Sequence, residues 1–259
     1  MFNKSHLIDI MQPFRKLLFI LLLFTFVNAN GQKNIINQSL VWYSYFQTLQ
    51  FNDELSLHSE IVERRFTNPD VQHQFLIRTH LHRQLGKSGW EGSVGMCLFF
   101  QNPNNPEAAV KLTVPELRPH IQMTYKQLLK NITLEHRYRL EARFFHNTNL
   151  PKTELEDGYD FGNLRFRYRL QATIPIVKLG IDKALKLKVA DEIYANIGSK
   201  IGINVFDQNR IYIGANVDVL ANVAVEIGYM NWFQEKVDAT FYNRNILQFS
   251  VYHKMFTHH

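Results

Sequence analysis

The fold of this chain is decided by residues 163–173, which read NLRFRYRLQAT. Arg165, Arg167 and Arg169 occupy every second position, and apolar side chains occupy the positions between them. Successive side chains of a β-strand point to opposite faces of the sheet, so this alternation has the period of a strand. The stretch therefore predicts a strand with one apolar face and one strongly basic face.

The same period of two recurs along most of the chain. At residues 74–82, for example, Arg78, His80 and His82 alternate with apolar residues. No window of useful length repeats every three to four residues, as a helix would require. The pattern predicts an all-β protein. Its candidate strands are 38–51, 54–66, 73–85, 90–101, 116–128, 131–145, 161–174, 184–197, 207–219, 222–233 and 244–256.

The lengths of these strands favour a membrane barrel over a soluble sandwich. Strands of soluble proteins usually have about 5–6 residues, whereas a tilted strand that crosses a bilayer needs about 9–11. Most of the candidates exceed ten residues, and short links alternate with longer ones between them. We predict an antiparallel up-and-down transmembrane β-barrel of about 10 to 12 strands. Bacterial barrels use even numbers, so the eleven candidates indicate ten strands or, preferably, twelve, with one strand merged or missed between residues 33 and 45.

Composition excludes several other classes of protein. The chain has 259 residues, of which 46% are hydrophobic and 20% charged, and its formal net charge is +6. A single apolar run near the N-terminus is too few for a bundle of membrane-spanning helices. The one cysteine, Cys97, cannot form an intramolecular disulfide or a zinc ribbon.

The N-terminal residues have the organisation of a secretory signal. Arg15 and Lys16 precede an apolar run at residues 17–27, and the small residues Ala29 and Gly31 follow it. This order is typical of a cleaved signal peptide, and the run is too short to cross a bilayer of about 30 Å. We expect a signal peptide at 1–31, cleaved after Ala29 or Gly31, and a barrel domain at 32–259. The expected location is the cell outer membrane.

Aromatic residues cluster where strands should meet the lipid headgroups, as the girdles of a barrel do. The last strand also ends on Phe256, which resembles the terminal aromatic signal read by the barrel assembly machinery. Aromatic residues equally favour any sheet, so the girdle is an interpretation. Its proposed members are Trp42, Tyr43, Trp90, Phe99, Phe100, Phe144, Phe145, Tyr159, Phe161, Trp232, Phe233, Phe241 and Tyr242.

Several segments resemble an uncharacterised family of Gram-negative outer-membrane barrels, domain of unknown function 2490. The resemblance covers roughly residues 38–256, and its most specific part is the run from Asp207 to Arg210. It implies a signal-directed outer-membrane β-barrel. Because the family has no established activity, the resemblance assigns no catalytic residue. The segments that carry it are 134–141, 163–169, 191–194, 206–214 and 228–230.

If the apolar faces meet lipid, the charged faces point into the barrel. A slip of residues 163–173 by one position would turn three arginines toward lipid at about 2–4 kcal/mol each, so the register is well defined. The interior is either filled by paired charges or forms a narrow pore biased toward anions. The charged residues predicted to face the lumen are Glu135, Arg137, Arg139, Glu141, Arg143, Arg165, Arg167, Arg169, Lys186, Lys188, Glu192 and Arg210.

Two histidines offer a weak metal-site candidate. His80 and His82 share one strand face at a spacing that could supply two ligands to zinc or copper. A third ligand would have to come from His58, Glu60 or His120 on adjacent strands. Pairs of this kind are common in a chain with 11 histidines, so we assign no metal site and no cofactor from the sequence.

Three functional hypotheses remain open. The first is an outer-membrane barrel with a structural role or a role in passing small, anionic solutes; its partners are membrane lipid and the assembly machinery. The second is a soluble periplasmic barrel with a lipocalin-like pocket, whose apolar faces would point inward. The third is a lipid-acting enzyme, for which His136 is the one lipid-side histidine in a strong strand. No phosphate loop, nucleophile elbow or metalloprotease motif occurs, so we expect no catalysis. Alternation separates basic from aromatic residues, so we expect no nucleic-acid binding.

Overall fold

The computed structural model describes residues 34–180, 183–198, 205–236 and 240–257. The predicted signal peptide lies outside these ranges. No helix long and apolar enough to span a membrane occurs among the described residues. They form eleven strands: β1 (Asn34–Gln50), β2 (Leu55–Phe66), β3 (Gln72–Gln84), β4 (Trp90–Gln101), β5 (Val114–Leu129), β6 (Ile132–Thr148), β7 (Leu155–Lys178), β8 (Ala184–Ile197), β9 (Phe206–Leu220), β10 (Val223–Glu235) and β11 (Thr240–Phe256).

Each predicted strand is present, and the all-β prediction is confirmed. The largest departure is β7, which has 24 residues and extends beyond the predicted 161–174 at both ends. Its added N-terminal residues pair with the end of β6. The alternation of apolar and polar residues is lost in this part of the hairpin, so the sequence pattern did not reveal it.

The strands close into one barrel in which sequence neighbours pair antiparallel and β1 meets β11. Along the contacts between β1 and β11, the residue numbers of both strands increase in the same direction. Asn243 Nδ2 donates to Asn37 Oδ1 at 3.0 Å, and at the other end the Thr257 backbone N–H donates to Gln50 O at 3.1 Å. The pair is therefore parallel. An odd number of alternating strands requires this, because the first and last strands then point the same way.

The strand count corrects one prediction. Eleven strands fall within the expected range of 10 to 12, but the expectation of an even number is wrong for the described residues. Residues 34–45, where a twelfth strand was expected, belong to the single continuous strand β1. The parallel β1 to β11 closure makes the additional strand unnecessary.

The two ends of the barrel differ in their connections. Links after odd-numbered strands have at most five residues, and we call this the short-turn end. Links after even-numbered strands form the long-loop end. They have 4 to 12 residues, and residues 102–113 are the longest of them. Outer-membrane barrels show the same asymmetry between short periplasmic turns and longer external loops.

The outer wall of the barrel is apolar and its interior is polar. On β5, Ile121 is 59% exposed, whereas its neighbour Gln122 is 6% exposed. Val94 and Ile211 are exposed to a similar extent on the outer wall, while Arg165 is buried. An apolar surface that surrounds the whole molecule greatly exceeds what soluble proteins expose. The chain is a transmembrane β-barrel, and the lipocalin-like alternative, which needs apolar faces inside, is wrong.

Part of the predicted aromatic girdle is also wrong. Trp42 and Trp232 are buried in the interior, where they pack with Leu40, Phe66 and Ile246. Phe99 and Phe145 line an interior cavity. Adjacent residues of a strand face opposite sides, so of each neighbouring aromatic pair only one ring can reach the lipid. Tyr43, beside Trp42, is such a ring and is half exposed.

Candidate functional site

A network of buried ion pairs fills the middle of the barrel. Glu141 on β6 is 1% exposed, and its carboxylate accepts hydrogen bonds from Arg165 and Arg167 of β7 at 2.6 Å each. The guanidinium of Arg139 lies 3.6 Å from the same carboxylate. Three arginines thus share one buried acid.

Glu192 on β8 is the second centre of this network. Its carboxylate accepts from Arg137 at 2.7 Å and from Arg167 at 2.8 Å, and from the Tyr194 hydroxyl at 2.9 Å. Arg167 therefore joins the two acids, Glu141 and Glu192. We call the group formed by Arg137, Arg139, Glu141, Arg165, Arg167 and Glu192 the ion-pair layer.

The structure places all twelve predicted lumen-facing residues on the interior side of the wall, and eleven of them belong to ion pairs. Arg143 pairs with Glu116 at 2.6 Å, and Arg169 pairs with Glu135. Near the short-turn end, Lys186 pairs with Asp218 and Lys188 with Glu226.

Sequence reasoning missed the buried acid Asp207, which lies 3.4 Å from Arg165. The register of the β8 and β9 pair shifts between Tyr194 and Ala195, opposite the start of β9. Asp207 and Gln208 are consequently both buried although they are consecutive. A bulge of this kind leaves no signal in the alternation.

Arg210 belongs to a second group, which we call the arginine–tryptophan cluster: Arg64, Arg210, Arg244, Trp42 and Trp232. The Arg64 guanidinium carbon lies 3.8 Å from the Trp42 ring centre. Arg210 lies 5.3 Å from Trp42 and 4.5 Å from Trp232, and Arg244 lies 4.2 Å from Trp232. The negative faces of the indole rings attract the guanidinium groups and hold them near one another.

The described hydrogen-bond partners of these three arginines are amide oxygens, and Glu192 lies opposite Arg210 in the β8 and β9 pair. Each donates to a glutamine side-chain oxygen: Arg64 to Gln74, Arg210 to Gln208, and Arg244 to Gln38 and Gln234. None forms an ion pair with a carboxylate of the described residues.

The cluster also holds donors without acceptors. Arg64 Nε, Trp42 Nε1 and Trp232 Nε1 are buried N–H groups that find no hydrogen-bond partner in the described part of the chain. A buried donor without an acceptor costs about 1–3 kcal/mol. An anion bound here would supply both a negative charge and acceptors for these groups.

Two cavities occupy the interior on either side of the ion-pair layer. The long-loop chamber, of about 340 Å³, is lined by Arg64, Arg210 and Trp232 among others. The short-turn chamber, of about 300 Å³, is lined by residues that include His80 and Lys126. Among the described residues the two chambers have no lining residue in common.

A smaller side cavity, of about 110 Å³, lies between the two chambers. It shares Arg210 with the long-loop chamber. It shares Phe46, Arg169, Gln171 and Tyr252 with the short-turn chamber. The side cavity thus lies beside the ion-pair layer, and Glu192 of that layer lines it together with Arg210.

The loop at residues 102–113 reaches across the long-loop end. Asn104 in this loop accepts a hydrogen bond from Arg244 of β11 at 3.0 Å, and its backbone oxygen accepts one from Gln38 of β1 at 2.7 Å. Its side-chain oxygen also lies 3.2 Å from His73 Nε2. The loop begins at β4, so these bonds attach it to the opposite side of the barrel mouth.

The candidate metal-binding histidines come together at the short-turn chamber. Ring nitrogens of His58, His80 and His82 all lie within 4.8 Å of one another. Glu60 lies 3.3 Å from His80 Nε2, and the His120 ring packs against His80 with 5.5 Å between ring centres. The residues suggested as a third ligand are therefore next to the predicted pair.

His136, the candidate for lipid chemistry, packs among tyrosines. Its Nδ1 lies 2.9 Å from the Tyr168 hydroxyl, and its ring packs against Tyr125 and Tyr168. This arrangement is an aromatic row on the outer wall. Among its described contacts there is no serine or threonine that His136 could activate.

Comparison with known proteins gave two matches to report. The sequence profile of the DUF2490 family, described as a protein of unknown function, matches residues 40–243. A solved structure of NanC porin in a rhombohedral crystal form is similar with a TM-score of 0.44 at 9% identity, covering 78% of this chain and 90% of that chain. No curated protein matched the sequence significantly.

Proposed function

We propose that this chain, which belongs to the DUF2490 family of proteins of unknown function, is a non-enzymatic outer-membrane β-barrel. It passes small anionic solutes through a narrow, basic interior. The observation that supports this most strongly is the arginine–tryptophan cluster. It holds three guanidinium groups that form no ion pair with a carboxylate in the part of the chain that the structure describes.

The long-loop chamber has the electrostatic character of an anion vestibule. Its lining contains more cationic than acidic side chains, and low-dielectric walls concentrate the field of those that are unpaired. Five of the lining arginines pair with glutamates that are not in the lining, and these are Arg78, Arg118, Arg143, Arg165 and Arg167. Arg64 and Arg210 are the lining arginines without an ion pair among the described residues. Rings of arginine and lysine lower the barrier for negative solutes. The charged lining residues are Arg64, Arg78, Arg118, Arg143, Arg165, Arg167, Arg210 and Lys236 on the cationic side and Asp207 and Glu235 on the acidic side.

The route through the barrel is narrow. The ion-pair layer occupies the direct path, so a solute passes through the side cavity of about 110 Å³. Arg210 meets the solute first, and Arg169 stands on the far side of the same cavity. A cavity of this size admits only small solutes, so selection by charge and selection by size occur at the same place.

The proposed location rests on the apolar outer wall together with the predicted signal peptide. Long loops of outer-membrane barrels lie outside the cell, which places the basic chamber where solutes enter. The lipid bilayer is then the partner of the wall, and Phe256 at the end of β11 is the segment offered to the barrel assembly machinery.

Conductance and reversal potential in planar bilayers test the proposal. The purified barrel should conduct with anion selectivity in a salt gradient, and Arg210→Gln should lower the ratio of anion to cation permeability toward one. Arg65→Gln is the control, because Arg65 is an outer residue paired with Glu63 and Asp70. Cation selectivity in the wild type, or equal effects of the two substitutions, would contradict the proposal.

A second candidate function is a barrel that stabilises the membrane without passing solutes. The ion-pair layer favours it, because Glu141 and Arg139 are each only 1% exposed and fill the centre of the interior. A folded wild type without conductance, and without solute uptake into proteoliposomes, would support this candidate over the first.

A further inference from the structure

We infer that His80, His82 and His58 form a binding site for a transition-metal ion, with Zn²⁺ as the best fit, at the wall of the short-turn chamber. The inference is independent of solute passage. It rests on the positions of the ring nitrogens and on the groups that hold the two central rings.

The two central imidazoles face each other at the spacing of metal ligands. His82 Nε2 lies 3.1 Å from His80 Nδ1. Zinc binds imidazole nitrogens at about 2.0–2.1 Å in tetrahedral geometry, which puts two such nitrogens roughly 3.3 Å apart. The observed separation therefore needs only a small adjustment to hold one ion between the rings.

The hydrogen bonds of the outer nitrogens determine what can lie between the inner ones. His82 Nδ1 is hydrogen-bonded to a carboxylate oxygen of Glu91, and His80 Nε2 lies 3.3 Å from Glu60 Oε1. Carboxylates accept hydrogen bonds, so each of these outer nitrogens carries a hydrogen. In the neutral rings His82 Nε2 and His80 Nδ1 are then both lone pairs. Two lone pairs 3.1 Å apart repel unless a proton or a metal cation lies between them.

The same carboxylates complete a recognised pattern of metal sites. A histidine that binds a metal usually donates its other ring N–H to a carboxylate, which fixes the ring orientation and makes the ligand more basic. Glu91 has this position for His82, and Glu60 has it for His80. Their negative charges also offset the positive charge of the ion and of nearby Lys126.

His58 supplies the third ligand and the chamber supplies the fourth. The His58 ring lies nearly parallel to the His82 ring, with 3.9 Å between ring centres and 23° between planes, so it must rotate about its side-chain bonds to aim a lone pair at the ion. One ring nitrogen of each of the three histidines lies within 4.8 Å of the others. All three histidines line the short-turn chamber of about 300 Å³, so the fourth position is open to water. Imidazole ligands suit zinc, copper and nickel rather than calcium or magnesium.

A second feature of the wall keeps the site in place. Gly95 on β4 lies against His80: a Cβ built on Gly95 would be 2.5 Å from His80 Cβ and 2.9 Å from His120 Nε2. Only glycine leaves room for His80 Cβ and the His120 ring in this position. The backbone of β4 thus supports the cluster from behind.

Zinc titration of the full chain in detergent micelles, with a competing chromogenic chelator, tests the inference. Wild-type protein should bind one Zn²⁺ per chain, and His80→Ala and His82→Ala should abolish this binding. Glu91→Gln should weaken binding by about 10- to 100-fold, as loss of an orienting carboxylate does. His73→Asn is the control, because His73 is a buried interior histidine at the other end of the barrel.

Folding is checked by circular dichroism, and X-ray absorption of the zinc-loaded wild type provides a readout without substitutions. Nitrogen ligands at about 2.0–2.1 Å support the site. A wild type that binds no zinc, a zinc shell made only of oxygen atoms, or folded His80 and His82 variants that bind as the wild type does would overturn the inference.

Discussion

Replacement of Glu141 by glutamine tests whether the middle of the barrel is a dry ion-pair layer. Glu141 accepts two hydrogen bonds of 2.6 Å from Arg165 and Arg167 and lies near Arg139. Glu141→Gln keeps the shape of the side chain but removes the charge that these three guanidinium groups share. The perturbation therefore isolates the electrostatic contribution of one buried carboxylate.

The expected cost follows from the burial of the group. Hydrogen bonds to charged groups contribute about 1.5–3 kcal/mol each, and removal of one partner of a buried ion pair costs about 3–5 kcal/mol. Glutamine retains one acceptor oxygen, which reduces the loss. We expect the free energy of unfolding to fall by about 3–4 kcal/mol on these grounds.

Equilibrium unfolding in urea, with the barrel in lipid vesicles and tryptophan fluorescence as the signal, measures this loss. Glu63→Gln is the matched control, because Glu63 pairs with Arg65 at a partly exposed position and such pairs are worth about 0–1 kcal/mol. If Glu141→Gln costs no more than Glu63→Gln, the charges are screened by water. The interior would then be a hydrated pore and the reasoning from a dry layer would be refuted.

Two further predictions concern the wall. Ile121→Arg, at the exposed middle of β5, should lower the free energy of unfolding in vesicles by about 2–4 kcal/mol. Leu128→Arg, near the strand end, should lower it by only about 0–1 kcal/mol. Equal losses in urea unfolding would contradict a lipid-facing wall. Gly95→Ala should lower the free energy of unfolding by about 1–3 kcal/mol through overpacking and should weaken zinc binding. Gly92→Ala is the control, because its Cβ would meet only Met123 Sδ at 3.6 Å. Thermal unfolding and zinc titration should show no change in stability or in zinc affinity for this control.

The strands and their two faces could be read from the sequence because alternation is a local property. A residue and its neighbour point to opposite sides whatever the rest of the chain does. Arg165, Arg167 and Arg169 consequently had to share a face, and the apolar residues between them had to share the other. The inward position of the twelve charged residues follows from the same rule.

The same local rule, applied strictly, would have placed Trp42 and Trp232 correctly. On β10, Trp232 lies an even number of positions after Glu226 and therefore faces the interior as Glu226 does. The girdle prediction grouped adjacent aromatic residues together, although adjacent residues of a strand face opposite sides of the sheet. Asp207 is different, because a register shift near the start of β9 turns it inward and no pattern in the sequence marks that shift.

The sequence by itself determined the strands, the lipid-facing and interior faces, and the types of charge inside, since each depends only on neighbouring residues. The tertiary structure decided the strand number and the partners. Closure brings Asn37 to Asn243 along a parallel seam. The register of neighbouring strands brings Glu141 to Arg165 and Arg167 and His58 to His80 and His82. These contacts depend on register and closure of the whole sheet. They join residues up to 206 positions apart, and alternation within a strand carries no information about them.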